Sequence, residues 1–212
     1  IAAGFNHNVG NTITWRVNSD GAASAILILR MCSGVWESAT QSKTCEINPQ
    51  NVEISVNGTA LEYDPVWLEG VTALESASYV AAYGFMEDYT VAYSVPLQEG
   101  VNEISMELLQ KEAGPNIDAL KLRTSASLTW TPVKNGDAPI ADYGYNVYES
   151  GERPETTYIF EAENADLTKL VNLNGDNNCV ENRTADDHGS DELNELHGCS
   201  NGWVAARFYR NF

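Results

Sequence analysis

Residues 11–17 read Asn-Thr-Ile-Thr-Trp-Arg-Val, and this stretch decides the fold class. Its apolar side chains Ile13, Trp15 and Val17 alternate with threonine or arginine. A period of two residues is typical of a β-strand that packs one face on a core and turns the other to solvent. The stretch therefore predicts a half-buried strand with a polar outer face.

Short strands of the same kind are predicted along the rest of the chain. Strong turn signals, Asn57-Gly58 and Glu99-Gly100, separate two neighbouring pairs of them. No segment shows helical periodicity with end caps. Many short strands with turns between them predict an all-β sandwich. The predicted strands are 24–31, 52–56, 89–95, 101–109, 119–122 and 158–163, with one more near 143–148, and 203–208 is a last apolar segment.

The composition changes twice along the chain and divides it into three parts. Residues 1–124 carry most of the predicted strands, and 125–156 are rich in proline, glycine and tyrosine. We interpret 125–156 as an extended connector and 157–212 as a second strand-bearing segment. Residues 1–124 alone are expected to form an incomplete β-sandwich core, and 157–212 is too short to bury a good core by itself.

The charge and the hydrophobic content exclude several classes of protein. With 43% hydrophobic residues the chain can bury a core, which excludes wholesale disorder. Thirty acidic and 12 basic residues give a net charge of −18, which repels phosphate backbones and anionic lipid. We therefore expect neither nucleic acid nor membrane as partner, whereas calcium and neutral glycans remain compatible.

The cysteines and two glycosylation sequons indicate an extracellular protein. The even number of cysteines and their local spacing predict two disulfides, with the connectivity left open. N-x-T sequons occur at Asn57 and Asn182 and predict N-glycosylation there. The cysteines fall into two local pairs, which are Cys32 with Cys45 and Cys179 with Cys199.

Three stretches resemble carbohydrate-binding modules of families 6 and 35. Residues 160–165 read Phe-Glu-Ala-Glu-Asn-Ala, like the E-A-E opening strand of those modules. Residues 100–104 with 114–120, Gly-Val-Asn-Glu-Ile and Gly-Pro-Asn-Ile-Asp-Ala-Leu, resemble their closing strands, and 54–58 resembles their V-N-G hairpin. The resemblance implies a calcium-binding β-sandwich of the jelly-roll type.

The order of these motifs is the reverse of the order in those modules. The opening strand follows the closing strand here, so joining residue 212 to residue 1 would restore a continuous module. The sandwich is therefore expected to be cyclically shifted, or to be completed by a strand segment from a neighbouring chain. Completion by a neighbour would propagate head to tail and produce a fibre of identical copies.

A calcium site is implied by the resemblance. Glu161, Glu163 and Asp118 match the carboxylates of the structural calcium site in those modules, and carboxylate oxygens suit calcium. The alternative is that they are ordinary exposed acids in an acidic chain.

Sugar contacts are implied in the same way. By position in the family, Asn116 matches a loop asparagine that contacts sugar, and Phe85 or Tyr89 lies near the family's loop aromatic. Trp67 is a further loop aromatic that would offer a platform for a pyranose face. The alternative is that these aromatics pack in the core or at its rim.

Catalysis has no support in the sequence. The histidines His7, His188 and His197 lack metal-protease spacing, and there is neither a nucleophile elbow nor a phosphate loop. We therefore expect a non-enzyme. The hypothesis favoured by the motif order is an extracellular structural protein that assembles head to tail by strand complementation. The alternative is a calcium-dependent carbohydrate-binding module of a larger secreted glycoside hydrolase.

Overall fold

The computed structural model describes residues 5, 8–33, 44–69, 87–111, 114–133, 146–149 and 155–170. These residues form twelve strands, and a short 3-10 helix, Ala162–Asn164, follows the last of them. The strands are β1 (Thr12–Ser19), β2 (Ala23–Ser33), β3 (Thr44–Ile47), β4 (Val52–Val56), β5 (Thr59–Ala60), β6 (Val66–Glu69), β7 (Glu87–Leu97), β8 (Gly100–Leu108), β9 (Pro115–Thr124), β10 (Leu128–Trp130), β11 (Asn146–Glu149) and β12 (Thr156–Glu161).

The described strands form two five-stranded sheets with a core between them. The first sheet has the order β10-β1-β8-β4-β5 and the second β11-β12-β9-β2-β7, while β3 and β6 pair separately. Successive long strands alternate between the two sheets, which is the connectivity of a jelly roll. Every strand pair is antiparallel. The predicted all-β sandwich is confirmed.

The alternation of 11–17 appears in β1 as predicted. Ile13, Trp15 and Val17 are fully buried in the core. The intervening side chains, among them Thr14 and Arg16, lie on the outer face of the first sheet. The polar half of the pattern thus builds a surface on which the candidate site lies.

The turn at Asn57 has the backbone conformation that its sequence predicts. Asn57 has φ 52° and Gly58 φ 76°, the left-handed values of a tight hairpin between β4 and β5. The Asn57 Oδ1 accepts a hydrogen bond of 2.9 Å from the Glu103 N–H, and its Nδ2 donates one of 3.0 Å to the buried Asn102 Oδ1. The turn is therefore fixed to β8.

The sequence patterns missed the shortest strands. β3, β5, β6 and β10 have two to four residues each, which is too few to display a period. The predicted strand 158–163 ends at Glu161, because Ala162–Asn164 turns into the 3-10 helix. The connector 125–156 holds β10 and β11, where one strand was predicted. The apolar segment 203–208 lies outside the described residues.

The segment after the connector lies in the second sheet of the same chain. β12 pairs with β9 from Thr156 opposite Thr124 to Glu161 opposite Ala119, and β11 pairs with its other edge. The opening strand therefore lies beside the closing strand. Because the same contacts would form with a β12 donated by a neighbouring chain, head-to-tail assembly stays a prediction.

Phe160 of β12 carries this segment into the core. Its side chain is fully buried and meets Trp130 of β10 edge to face, with ring centroids 5.3 Å apart and planes at 76°. Such aromatic pairs add to the free energy gained by burying the rings.

In the described part of the chain, no helix is long and apolar enough to cross a membrane.

We expect Phe160→Ala to lower the free energy of unfolding by about 3–5 kcal/mol, because it leaves a cavity at the centre of the core. Urea denaturation measures this change. Tyr93→Ala is the matched control, since Tyr93 is an aromatic residue on a strand but is 78% exposed. Its effect should stay within about 0.5 kcal/mol. Equal effects of the two variants would contradict the packing of β12 in the core.

The same denaturation curves distinguish completion by the chain itself from completion by a neighbour. If β12 packs in its own chain, the midpoint is independent of protein concentration. A midpoint that rises with concentration would indicate a sandwich completed between molecules.

Candidate functional site

A cleft opens on the outer face of the first sheet, beside β1. One edge of β1 pairs with β8 along its whole length. The other edge pairs with β10 only from Val17 to Ser19, and near its start it is covered by residues 166–169. The sheet-face cleft lies between these two coverings and has a volume of about 410 Å³. It is lined by residues that include Thr14, Arg16, Asn18, Trp130, Asn164 and Asp166.

Backbone hydrogen bonds fix the wall of the sheet-face cleft that Val133, Asn164 and Asp166 form. The Asp166 N–H donates to the Thr14 carbonyl at 2.7 Å, and the Thr14 N–H donates to the Asp166 carbonyl at 3.1 Å. The Val133 N–H donates to the Asn164 carbonyl at 2.8 Å. These bonds fasten two irregular segments to the sheet, so the cleft has fixed walls on both sides.

One part of the lining is apolar. Trp130 is partly buried, while Val101 is 58% exposed. Pro132 and Val133 line the same cleft. Trp130 packs on the core through Phe160, so its position is set by the sandwich itself.

The polar part of the lining is organised around Arg16. Its Nη1 lies 2.8 Å from Asp166 Oδ2, and its Nε lies 3.2 Å from Glu103 Oε2. The Thr168 hydroxyl donates a hydrogen bond of 2.7 Å to the other oxygen of Asp166. The guanidinium is therefore fixed between two carboxylates. Together, the side chains of Arg16, Asp166 and Glu103 carry a net charge of −1.

These contacts shift two pKa values. The hydrogen bond to Asp166 raises the pKa of Arg16, against the opposing effect of burial. Burial raises the pKa of Asp166, but the hydrogen bonds from Arg16 and Thr168 outweigh it and hold this pKa below its ordinary value. Asp166 is therefore a carboxylate at neutral pH, where it accepts hydrogen bonds and holds no proton.

Asn164 adds a polar group with unused hydrogen-bonding capacity. The residue lines the sheet-face cleft and is 2% exposed. Its Oδ1 is buried, and no described residue donates a hydrogen bond to it. Leaving a buried acceptor unsatisfied costs about 1–3 kcal/mol. A water or ligand hydroxyl reaching this oxygen would recover part of that free energy.

The lining of the sheet-face cleft suits a sugar. A pyranose has apolar faces of C–H groups and a rim of hydroxyls, so it needs an aromatic or aliphatic surface next to fixed polar groups. Trp130 offers the first, and the Arg16–Asp166 pair offers the second. Charged partners form stronger hydrogen bonds than neutral ones.

The three carboxylates predicted to bind calcium are all buried. Asp118 is 1%, Glu161 8% and Glu163 2% exposed, so the alternative of ordinary exposed acids is wrong for them. In the part of the chain that the structure describes, no group of three or more histidine, cysteine, aspartate or glutamate side chains is placed to hold a metal ion. Calcium binding by these three carboxylates stays a prediction.

Asp118 already has a cation beside it. It is the extra residue of a β-bulge, because Arg30 pairs with Ala119 and Met31 with Ile117. The Arg30 Nε lies 3.2 Å from Asp118 Oδ2. A buried carboxylate needs such a partner, and here the guanidinium supplies the charge that calcium would otherwise supply.

The predicted sugar-contacting residues lie elsewhere than the sheet-face cleft. Asn116 is 4% exposed on β9, Trp67 is 66% exposed on β6, and Tyr89 is partly buried on β7. None of these three residues lines the cleft. Phe85 lies outside the described residues. Their predicted role in sugar binding stays a prediction.

The predicted modifications are only partly within the described residues. Cys32 is buried on β2, Cys45 lies on β3, and Cys179 and Cys199 lie outside. Asn57 is exposed at the β4–β5 turn, whereas Asn182 lies outside. Both disulfides and both glycosylation sites remain predictions.

Sequence reasoning placed Arg16 on a solvent face but did not find the site it belongs to. Arg16 and Asp166 are 150 residues apart in the chain. No local pattern links residues at that separation. The available signal was the polar half of the β1 alternation, together with the acidic residue that follows the E-A-E motif.

Comparisons with known proteins give solved structures only. No protein-family model matches the chain, and no curated protein matches it. A family 35 carbohydrate-binding module from Cellvibrio japonicus is similar, with 19% identity and a TM-score of 0.39. A family 35 module from an environmental isolate has 18% identity and a TM-score of 0.39.

A third similar structure is a module named Xyl-CBM35 in complex with a disaccharide that contains glucuronic acid, with 18% identity and a TM-score of 0.36. Each alignment covers 59% of this chain and 73% of the other. The chain thus resembles family 35 modules, as its motifs predict. At TM-scores below 0.5, the similarity does not indicate where this chain would bind a ligand.

We expect Asp166 to stabilise the fold only while it is ionised. Its pKa in the fold is lower than its ordinary value of 3.8, so its contribution is present above that pH and is lost as the pH falls through the lower value. Because Arg16 is 49% exposed, the contribution is about 1 kcal/mol or less. Urea denaturation between about pH 6 and pH 2 should show wild type and Asp166→Asn converging at the acidic end.

Asp64→Asn removes an exposed aspartate away from the sheet-face cleft and controls for the loss of one charge. A constant difference between wild type and Asp166→Asn over the whole pH range would contradict the assignment.

Proposed function

We propose that this chain is a non-catalytic, extracellular carbohydrate-binding module whose glycan ligand lies in the sheet-face cleft. The observation that carries the proposal is the presence of Trp130 and the Arg16–Asp166 ion pair in one cleft with fixed walls. The motifs that resemble families 6 and 35 support the same class. Attachment to a larger secreted glycoside hydrolase, where such a module would hold the enzyme on its polymer, belongs to the proposal.

The state of Asp166 supports the absence of catalysis in the sheet-face cleft. A glycosidase needs one carboxyl group that holds a proton, which requires a raised pKa. The pKa of Asp166 is lowered. The carboxylates nearest to Arg16, those of Asp166 and Glu103, are both bound to its guanidinium. Such carboxylates hold and orient hydroxyls, which is the task of a binding protein.

Fibre assembly is the weaker of the two functions that the motif order suggested. β12 fills the place beside β9 within one chain, so the exposed edge expected of residues 1–124 is covered. No feature of the described residues favours a neighbour over the chain itself. Glycan binding therefore takes precedence as the proposed function.

Calcium is proposed as a structural ligand near the end of β12. Glu161 and Glu163, both buried, would contribute carboxylates, with backbone carbonyl oxygens completing the coordination. Asp118 would join only if its ion pair with Arg30 opened. The role is structural, so sugar binding in the sheet-face cleft does not depend on it.

Calcium at about 100 times its Kd should stabilise the fold by about 2.7 kcal/mol, which raises Tm by about 5–10 °C. Thermal unfolding in calcium and in EGTA measures the shift. Glu163→Gln should abolish it, whereas Glu62→Gln, a change at an exposed glutamate, should keep it. An identical Tm of the wild type in calcium and EGTA would remove calcium from the proposal.

Trp130→Ala should abolish glycan binding, because the sugar loses its apolar surface. Since Trp130 also packs on Phe160, thermal unfolding has to verify that the variant is folded. The apolar area that the sugar would bury on the ring is worth about 25 cal/mol per Å². A glycan array identifies the ligand, and isothermal titration calorimetry measures the change. Arg16→Gln is a second variant that leaves the core untouched and should weaken binding at least about tenfold.

Trp67→Ala is the matched control, since Trp67 is exposed and lies outside the sheet-face cleft. Loss of binding in Trp67→Ala or Asn116→Ala, with Trp130→Ala unaffected, would move the site to the residues implied by the family resemblance. Absence of binding to any glycan would refute the proposed function.

A further inference from the structure

A second cavity adjoins the sheet-face cleft on the same face of the first sheet. It has a volume of about 190 Å³ and is lined by residues of β1, β8 and β4 and by the segment 166–169. Thr14, Arg16 and Asp166 line both cavities. The ion pair between Arg16 and Asp166 therefore lies between the two cavities and lines both of them.

The floor of the second cavity is a row of hydroxyl groups. Thr14 is paired with Ser105, and Ser105 with Ser55, so the three residues are in register across β1, β8 and β4. The hydroxyls of Thr14 and Ser105 are 2.9 Å apart and hydrogen-bonded. Three strands at the usual spacing place the ends of this row about 10 Å apart. The row is longer than one pyranose ring, so a single sugar unit would not cover it.

The charges along both cavities favour a neutral ligand. Arg16 and Lys169 contribute two positive charges, whereas Asp166, Glu103 and Glu107 contribute three negative ones. Arg16 is already held by two of these carboxylates. An acidic sugar would therefore meet a surface with an excess of negative charge. The remaining groups of the row, hydroxyls that both donate and accept, match the hydroxyls of a neutral sugar.

We infer that the two cavities form one groove for a stretch of a neutral polysaccharide, with at least two subsites. The first subsite is at Trp130, and the second is on the row of Thr14, Ser105 and Ser55. The Arg16–Asp166 pair lies between them and contacts the hydroxyls of both adjoining sugar units. This inference rests on the proposed function and adds to it the length and the charge of the ligand.

Calorimetry with the full chain and ladders of cello-, xylo- and mannooligosaccharides, from mono- to hexasaccharide, tests the inference. For the ladder that binds, affinity should rise about tenfold between the monosaccharide and the tetrasaccharide, and then level off. An oligosaccharide of equal length that carries a glucuronic acid branch should bind no more tightly than its neutral counterpart.

Ser55→Gln separates the two subsites, because the longer side chain fills the second cavity from the outer face of β4. It should weaken tetrasaccharide binding about tenfold and monosaccharide binding much less. Ser94→Gln, the same change at an exposed position on β7 in the other sheet, should leave both unchanged. Thermal unfolding verifies that the two variants are equally folded.

The outcomes distinguish this inference from the proposed function. Binding that depends on Trp130 but not on ligand length or on Ser55→Gln overturns the extended groove and leaves the function standing. Tighter binding of the acidic oligosaccharide overturns the neutral ligand. No binding of any oligosaccharide overturns the function and the inference together.

Discussion

The hydrogen bonds between Thr14 and Asp166 are the contact on which the rest of the site depends. They attach the segment after β12 to the edge of β1, so residues from the two ends of the described chain become neighbours. The same attachment places the Asp166 carboxylate at 2.8 Å from Arg16. Without this attachment, the outer face of the first sheet would be a flat polar surface that lacks the wall formed by Asp166 and its neighbours. The pairing of β12 with β9 brings this segment to the sandwich.

Charge balance is the second constraint on this acidic chain. Asp118 is buried and Asp166 is largely shielded from solvent, and each has an arginine beside it. At the second sheet, Asp88 also bridges Arg30 and Lys121, with distances of 3.2 and 2.7 Å. Basic residues are thus placed beside two carboxylates that are shielded from solvent and beside the more exposed Asp88. A buried carboxylate that loses its partner is strongly destabilising, which limits substitution at these arginines.

The sequence predicted the features that depend on neighbouring residues. The alternation in β1 and the turn at Asn57 follow from side-chain period and backbone conformation, which are local properties. The position of β12 beside β9 followed from the resemblance of two motifs. The sheet-face cleft could not be predicted, because Trp130 lies in a strand of three residues and Arg16 meets Asp166 across 150 residues. Contacts between residues so far apart in the chain depend on how the two sheets pack together, and a short stretch of sequence does not reveal that packing.

The sheet-face cleft joins pieces of chain that are far apart in sequence, and this has a mechanical consequence. A ligand that touches both Arg16 and Asp166 adds contacts across the junction between β1 and the segment after β12. Detachment of that segment from β1 would then require the ligand to dissociate first. Ligand binding and the attachment of the segment to β1 are therefore thermodynamically linked. A pulling force on a polymer held in the groove would therefore act on a junction that binding of the polymer itself stabilises.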